Sequence, residues 1–444
     1  MDTLENRLQK RIHVSLYALL FLTGLLGISV LLEGCTDKCE VTNEYTAYKP
    51  VYTSLEEIRK VSITQPEGIH SVGKIYYKDE YLFVNEPGKG IHVIDNHDPA
   101  SPVNKSFINI PGNYELAIKD NALYADSYID LVVLDITSLD NIHEVNRIEN
   151  IFSNYNSLGF YMDPEKGLVT DWVAEKNSTV LKSDCNSGVQ PWGGVYYDGG
   201  IALASNVTFD KSAAIAPGNG SGPGVGGSMA RFTISKNHLY ALDAGNIIPV
   251  DISDEVSPDK KTSVYIGWNS ETIFPAAQNL FIGASDGMYI LDISDPAVPK
   301  TLTTYSHIRS CDPVVVDGNY AYVTLRSGTT CQGFTNQLEV IDIQNLQSPQ
   351  LLKTYPMTNP HGLGKDNTTL FICDGSDGLK VYDASDINTI DKKQLAHYDG
   401  INAYDVIPFD NVLMMIGENG LYQYDYSDPA NIKLLSHLAI VHEN

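Results

Sequence analysis

Glu271, Asp312, His361 and Tyr404 are the residues of this chain whose types could act together. Each stands at the corresponding place in one of four successive stretches, SETIFPA, CDPVVV, PHGLGK and NAYDVI. Two carboxylates and an imidazole are a donor set for a divalent cation, and the same groups serve as general acid and base. Arg309 and His307, shortly before Asp312, would add an anion contact. The competing reading is that these side chains are polar because water fills the space they face. Apart from that cation no cofactor is expected. The chain has no G-x-S-x-G elbow, phosphate-binding glycine loop or H-E-x-x-H pair, so no complete catalytic set can be assembled.

These residues must be positioned by a repeat. One phrase recurs as GIHVIDNHDP at 90–99, DLVVLDITSLD at 130–140 and NIIPVDISDEVSP at 246–258. It returns as GMYILDISDPAVP at 287–299, QLEVIDIQNLQSP at 337–349, GLKVYDASD at 378–386 and GLYQYDYSDP at 420–429. The pivot aspartates are Asp95, Asp135, Asp251, Asp292, Asp342, Asp383 and Asp425, separated by 40, 116, 41, 50, 41 and 42 residues. Each unit reads as four short runs rich in Val, Ile, Leu and Tyr, bounded by Gly, Asn, Asp or Pro, which is a strand signature. Four strands in about 40 residues is the size of a propeller blade. The third run is apolar at nearly every position, as expected for a strand covered on both faces. The expectation is an all-β chain: a single propeller of about seven four-stranded blades over 70–444, with a large insertion between blades two and three.

The V-I-D and L-D-I phrases resemble the LVIVD repeat of bacterial and archaeal surface proteins. That resemblance spans roughly residues 70–440 and implies a propeller at the cell surface; it implies no chemistry. The pivot aspartates read as structural: at a strand end, before Ser-Asp-Pro or a similar turn, a carboxylate accepts backbone N–H bonds. Spread one per blade, they cannot converge on one ion. SDG at 285–287 and DGSDG at 374–378 read as hairpin turns between second and third strands, without the acidic spacing of a calcium loop. Aligning the units on their second strands puts Gly73, Tyr114 and Ala230 in register with Glu271, Asp312, His361 and Tyr404, at the mouth of the central channel.

The interval of 116 contains the insertion, 154–228. LVTDWVAEKNSTVLKS at 168–183 reads as a strand pair, and the Gly-rich GNGSGPGVGGS at 218–228 as unable to pack a core. A degenerate eighth blade is the alternative. Strand alternation places the inter-blade links, the second-to-third loops, the insertion and the long RSGTTCQGFTNQ loop of unit five on one face. Additions gathered on one face of a rigid scaffold are where binding usually sits.

Arg7, Lys10 and Arg11 precede an uncharged, mostly apolar run from Val14 to Leu32 that ends at Leu32-Glu33-Gly34-Cys35. This resembles a bacterial lipoprotein signal over 1–34 with Cys35 as the lipidated residue, Glu33 standing where a small residue is usual. A retained membrane helix is the competitor. Residues 35–69 then form a tether and lead-in. Export permits disulfides: Cys311 with Cys331 inside unit five, and Cys185 with Cys373 strapping the insertion. With 55 acidic against 30 basic residues and a net charge of −25, no cluster of Lys and Arg is available for nucleic acid. The expected protein is an exported, lipid-anchored membrane protein, at the outer membrane or cell surface. Its expected role is a non-catalytic scaffold for a surface protein or glycan. The alternative is a hydrolase or lyase using the acidic and His residues at the channel mouth.

Overall fold

The computed structural model describes residues 40–152, 161–184, 195–197, 200–202, 224–267, 270–307, 313–327 and 335–442. The chain divides into two compact units, residues 1–49 with 173–204 and residues 50–172 with 205–444.

The larger unit holds seven antiparallel sheets, each built on four strands that are consecutive in the chain and neighbours in the sheet. Blade 1 runs from Ile75 to Asn109, blade 2 from Leu116 to Ile148 and blade 3 from Phe232 to Tyr265. Blades 4 to 7 span Ser270 to Ser306, Val314 to Pro356, Leu363 to Tyr398 and Ala403 to Ala439. In blade 3 the fourth position is shared by Asp259–Lys260 and Val264–Tyr265, both paired to the third strand. This is a seven-bladed β-propeller. From blade 1 through blade 7 the first strands of successive blades pack on one another.

Local sequence explains each blade. First and second strands are joined by two-residue turns with positive φ at both positions in blades 1, 3 and 7 (Asp79-Glu80, Lys236-Asn237, Asp410-Asn411). That geometry matches the strand twist. At the end of every third strand the pivot aspartate accepts the amide two residues on, at 2.7 Å for Thr137 and Ser294 and up to 3.3 Å for His97. The turn role read from the sequence holds in all seven blades. DGSDG also forms a turn between second and third strands, with Asp374 N–H bonding the Gly378 carbonyl.

The core lies between blades rather than within them. Apolar clusters join blades 1, 2 and 3, then 3 and 4, then 4, 5 and 6, then 6 and 7. The ring closes through Ile75, Leu82, Val84 and Ile94 of blade 1 against Ile407, Met414, Ile416 and Leu421 of blade 7. At this seam the amides of Asn96 and Gln423 bond each other at 2.9 and 2.6 Å. Among the described residues no strand is exchanged between blades 1 and 7, since blade 7 comes entirely from 403–439. Instead Val441 N–H donates to the Ile69 carbonyl at 2.7 Å, and His70 Nδ1 lies 3.0 Å from the Val441 carbonyl.

Several expectations are corrected. Within the expected tether Glu40–Thr53 is a strand, its sequence carrying Val, Thr and Tyr. It is followed by a one-turn helix, Leu55–Ile58, capped by Ser54, and by Ser62–Thr64, which pairs with the outer strand of blade 1. The expected strand pair at 168–183 is one strand, Gly167–Asp184, between Glu40–Thr53 and Met162–Asp163. In the smaller unit the described parts are portions of these two long strands and the hairpin Val195–Tyr197 with Gly200–Ala202. Among the described residues the insertion therefore forms no eighth blade.

Candidate functional site

The inner strands all start on one face, here called upper. Inter-blade links and second-to-third loops meet there: Gly88 N–H bonds the Asn113 carbonyl at 2.7 Å, and Ser270 N–H the Ala244 carbonyl at 3.1 Å. In the long loop of blade 5, Ser327 N–H bonds Asn336 Oδ1 at 2.8 Å and Met357 N–H the Asn336 carbonyl at 3.0 Å. The base of that loop sits where strand alternation puts it.

Among the described residues, four of the mouth positions occupy equivalent places in the register. The second strand takes a bond from Gly73 N–H through the Asn85 carbonyl in blade 1 and from His361 N–H through the Cys373 carbonyl in blade 6. In blades 4 and 7 the same place is a bulge, at Glu271 and Tyr404. His361 is 5 % exposed. Its ring lies 5.7 Å from that of Tyr404, its Nε2 is 3.2 Å from Asn359 Nδ2, and its carbonyl accepts Thr324 Oγ1 at 2.7 Å. Burial, reinforced by the Arg326 charge, lowers the imidazole to about 3, so it is neutral near pH 7. Burial raises the Tyr404 phenol, with Glu418 adding to the effect.

The structure thus brings His361 and Tyr404 together. Glu271 is half-buried in its own bulge. His307 lies at the end of the outermost strand of blade 4, its ring 6.2 Å from that of Tyr305. Asp312 and Arg309 lie outside the described residues. So do Cys35, Cys185, Cys311 and Cys331, and with them the Cys311–Cys331 bridge and the lipidation site. Among the described residues no group of three or more His, Cys, Asp or Glu stands close enough to hold a metal ion. Cys373 is a free thiol, fully buried between blades 6 and 7. Its expected partner Cys185 lies outside the described residues.

The polar groups one residue further along each inner strand are those the sequence reading missed. They include Lys74, Glu115, Arg231 and Asp405, and they hold a piece of the chain itself. Residues 224–230 (GVGGSMA) run up the channel along the inner edge of blade 1. Val225 pairs with Tyr77 and Gly226 with Tyr76, and Gly227 N–H bonds the Ile75 carbonyl at 3.2 Å. At its lower end Gly224 N–H bonds the Ile118 carbonyl of blade 2 at 2.9 Å. Higher up, Ser228 Oγ accepts Leu363 N–H at 2.7 Å and donates to Asp405 Oδ1 at 3.3 Å. Lys74 Nζ donates to the Met229 carbonyl at 3.0 Å and pairs with Glu115 at 3.1 Å. Glu115 Oε2 in turn accepts Arg231 N–H at 3.1 Å.

Two expectations about the insertion change. Its Gly-rich end does pack: Val225 to Ala230 are all buried, and glycine is what the site requires. A Cβ on Gly226 would meet the Tyr76 ring at 2.6 Å, and one on Gly224 the same ring at 2.5 Å. Nor does the whole insertion sit on the upper face, for its last residues enter the channel from the lower end.

With the geometry described, the chain can be compared with known proteins. Residues 279–306 and 308–357 match the LVIVD repeat. These LVIVD stretches correspond to blade 4 after its first strand and to blade 5. No curated protein matches the chain. Among solved structures it is similar to the computationally designed Ika8 protein, at TM-score 0.42 and 13% identity, over 85% of this chain and 99% of that one. It is also similar to Saccharomyces cerevisiae Sqt1, at TM-score 0.46 and 10% identity over 85% and 88% of the two chains. For BamB from Moraxella catarrhalis the values are 0.44 and 7% over 86% and 97%. The fold assignment itself rests on the strand order of the seven blades.

Proposed function

We propose that this LVIVD-repeat propeller is an exported, lipid-anchored scaffold that binds a surface protein or glycan on its upper face. One observation carries the reading. Lys74, Glu115 and Asp405, charged residues at the starts of the inner strands, are engaged with residues 224–231 of the same chain. That directs ligand contact to the loops of the upper face, where the blade 5 loop and the inter-blade links gather. A rigid ring carrying variable loops is a common arrangement for recognition. The basic start, apolar run and Cys35 support the anchor.

Two measurements test this. Intact-mass analysis of the mature protein should give a chain beginning at a diacylated Cys35, and Cys35→Ala should abolish lipid labelling; an unprocessed N-terminus would replace the anchor with a membrane helix. Cells displaying the full chain should capture members of a glycan or surface-protein panel, and deletion of 328–334 should weaken capture. Capture unchanged by that deletion and by substitutions in the inter-blade links would remove the upper face from the proposal.

A further inference from the structure

We infer that residues 224–230 are the staple that closes the ring, in place of a strand shared between the chain ends. The segment bonds blade 1 through its pairing with Tyr76 and Tyr77, blade 2 at Ile118, blade 6 at Leu363 and blade 7 at Asp405. Blade 4 bonds it through Ile273 N–H, which donates to the Ala230 carbonyl at 2.8 Å. The segment then continues directly into blade 3 as Phe232–Ser235. Seven residues thus join blades on both sides of the seam between the first and last blade. Elsewhere among the described residues, that seam is held by side-chain packing, the Asn96–Gln423 pair, bonds from Ser436 Oγ and Gln423 Nε2 to the Pro99 carbonyl at 2.6 and 3.3 Å, and the short contact of 69–70 with 441. Ser228 matters most, because its hydroxyl is bonded at once to the inner strands of blades 6 and 7. Its neighbour Met229 is bonded by Lys74 of blade 1.

The prediction concerns where the ring loosens. Ser228→Ala removes the two hydroxyl bonds without adding bulk. Amide hydrogen exchange in the inner strands of blades 1, 6 and 7 should accelerate at least tenfold, while the third and fourth strands of blade 5 stay unchanged. A disulfide across the seam, from Asn96→Cys with Gln423→Cys, should restore slow exchange in the Ser228→Ala background. Gly226→Val should act more strongly. Should it not fold, Lys74→Met provides a second, independent break of the same segment. Three outcomes overturn the inference: acceleration confined to the Leu363 amide, a uniform rise in all blades, or a seam disulfide that restores nothing.

Discussion

At the scale of single residues, the pivot aspartates are acids held ionised by the turns they make. In six of them the carboxyl lies below its ordinary range. The first cause is a hydrogen bond from the side chain two residues on, with its amide adding to it; Asp251 and Asp383 reach about 2. Glu86 also falls to about 2: burial opposes its charge, but bonds from His92, Lys89 and the His70 amide outweigh it. A depressed acid stabilises the fold above its unfolded pKa, and that contribution is lost as pH falls through the folded value. The contribution of these acids to the urea midpoint should therefore hold steady from pH 7 to about 4.5 and fall between about 4 and 2, beneath the separate loss that His361 causes. Asp292→Ala should lower the midpoint at pH 7 and flatten the acid loss. His361 has the same sign for a different reason, since burial keeps it neutral. The unfolded chain binds a proton near pH 6.5 while the folded one does not. Acidifying from pH 6.5 to 5 should remove about 2 kcal/mol, a loss absent in His361→Phe. In NMR the imidazole should show no titration over that range.

At the scale of elements, the blades are locked to one another by aromatic residues two places into the second strand. Tyr124 reaches the Glu255 carbonyl of blade 3 at 3.0 Å and Tyr240 the Pro296 carbonyl of blade 4 at 2.9 Å. Tyr124→Phe should reduce stability by about 1 kcal/mol with an unchanged urea slope. The lead-in helix is fixed by Asp130, fully buried, which accepts Arg59 Nε at 2.7 Å, Arg147 at 3.2 Å and Asn150 N–H at 2.8 Å. Asp130→Ala leaves two guanidinium groups facing each other and should cost about 3 kcal/mol by chemical denaturation. These elements differ in how far the sequence discloses them. The blades were legible because local chemistry writes them: the third-strand apolar run, the Asx turn and the two-residue hairpin recur every 41 residues or so. The mouth positions were legible because the strand register follows from that repeat. The aromatic in YLFV, ALYA, HLYA, NLFI, YAYV and TLFI was equally periodic, but its partner lies in the next blade, which no single unit reveals. Lys74, Glu115 and Asp405 were hidden for the same reason, since their partners are brought near only by the closed ring.

At the scale of the whole molecule, closure depends on contacts near the two ends of the ring. Truncation after Ala439 removes the Val441–Ile69 bond, the Ile440–Asn419 bond and the contact of Val441 with His70. It should lower stability by about 2 kcal/mol, with hydrogen exchange rising first in blades 1 and 7. The insertion was the least legible part, because a Gly-rich run looks alike whether it is solvated or laid against a tyrosine ring. Its position also dictates the order of events during synthesis. Blades 1 and 2 leave the ribosome before residues 224–230, and blades 3 to 7 after them, so the chain can lay the segment against an open arc and fold the remaining blades over it. A chain refolding from denaturant has no such schedule. If blades 1 and 7 meet first, the segment is shut out of a channel whose two mouths it must enter from below and leave from above. It can take its place only after the ring reopens, which makes early closure a kinetic trap that vectorial synthesis avoids.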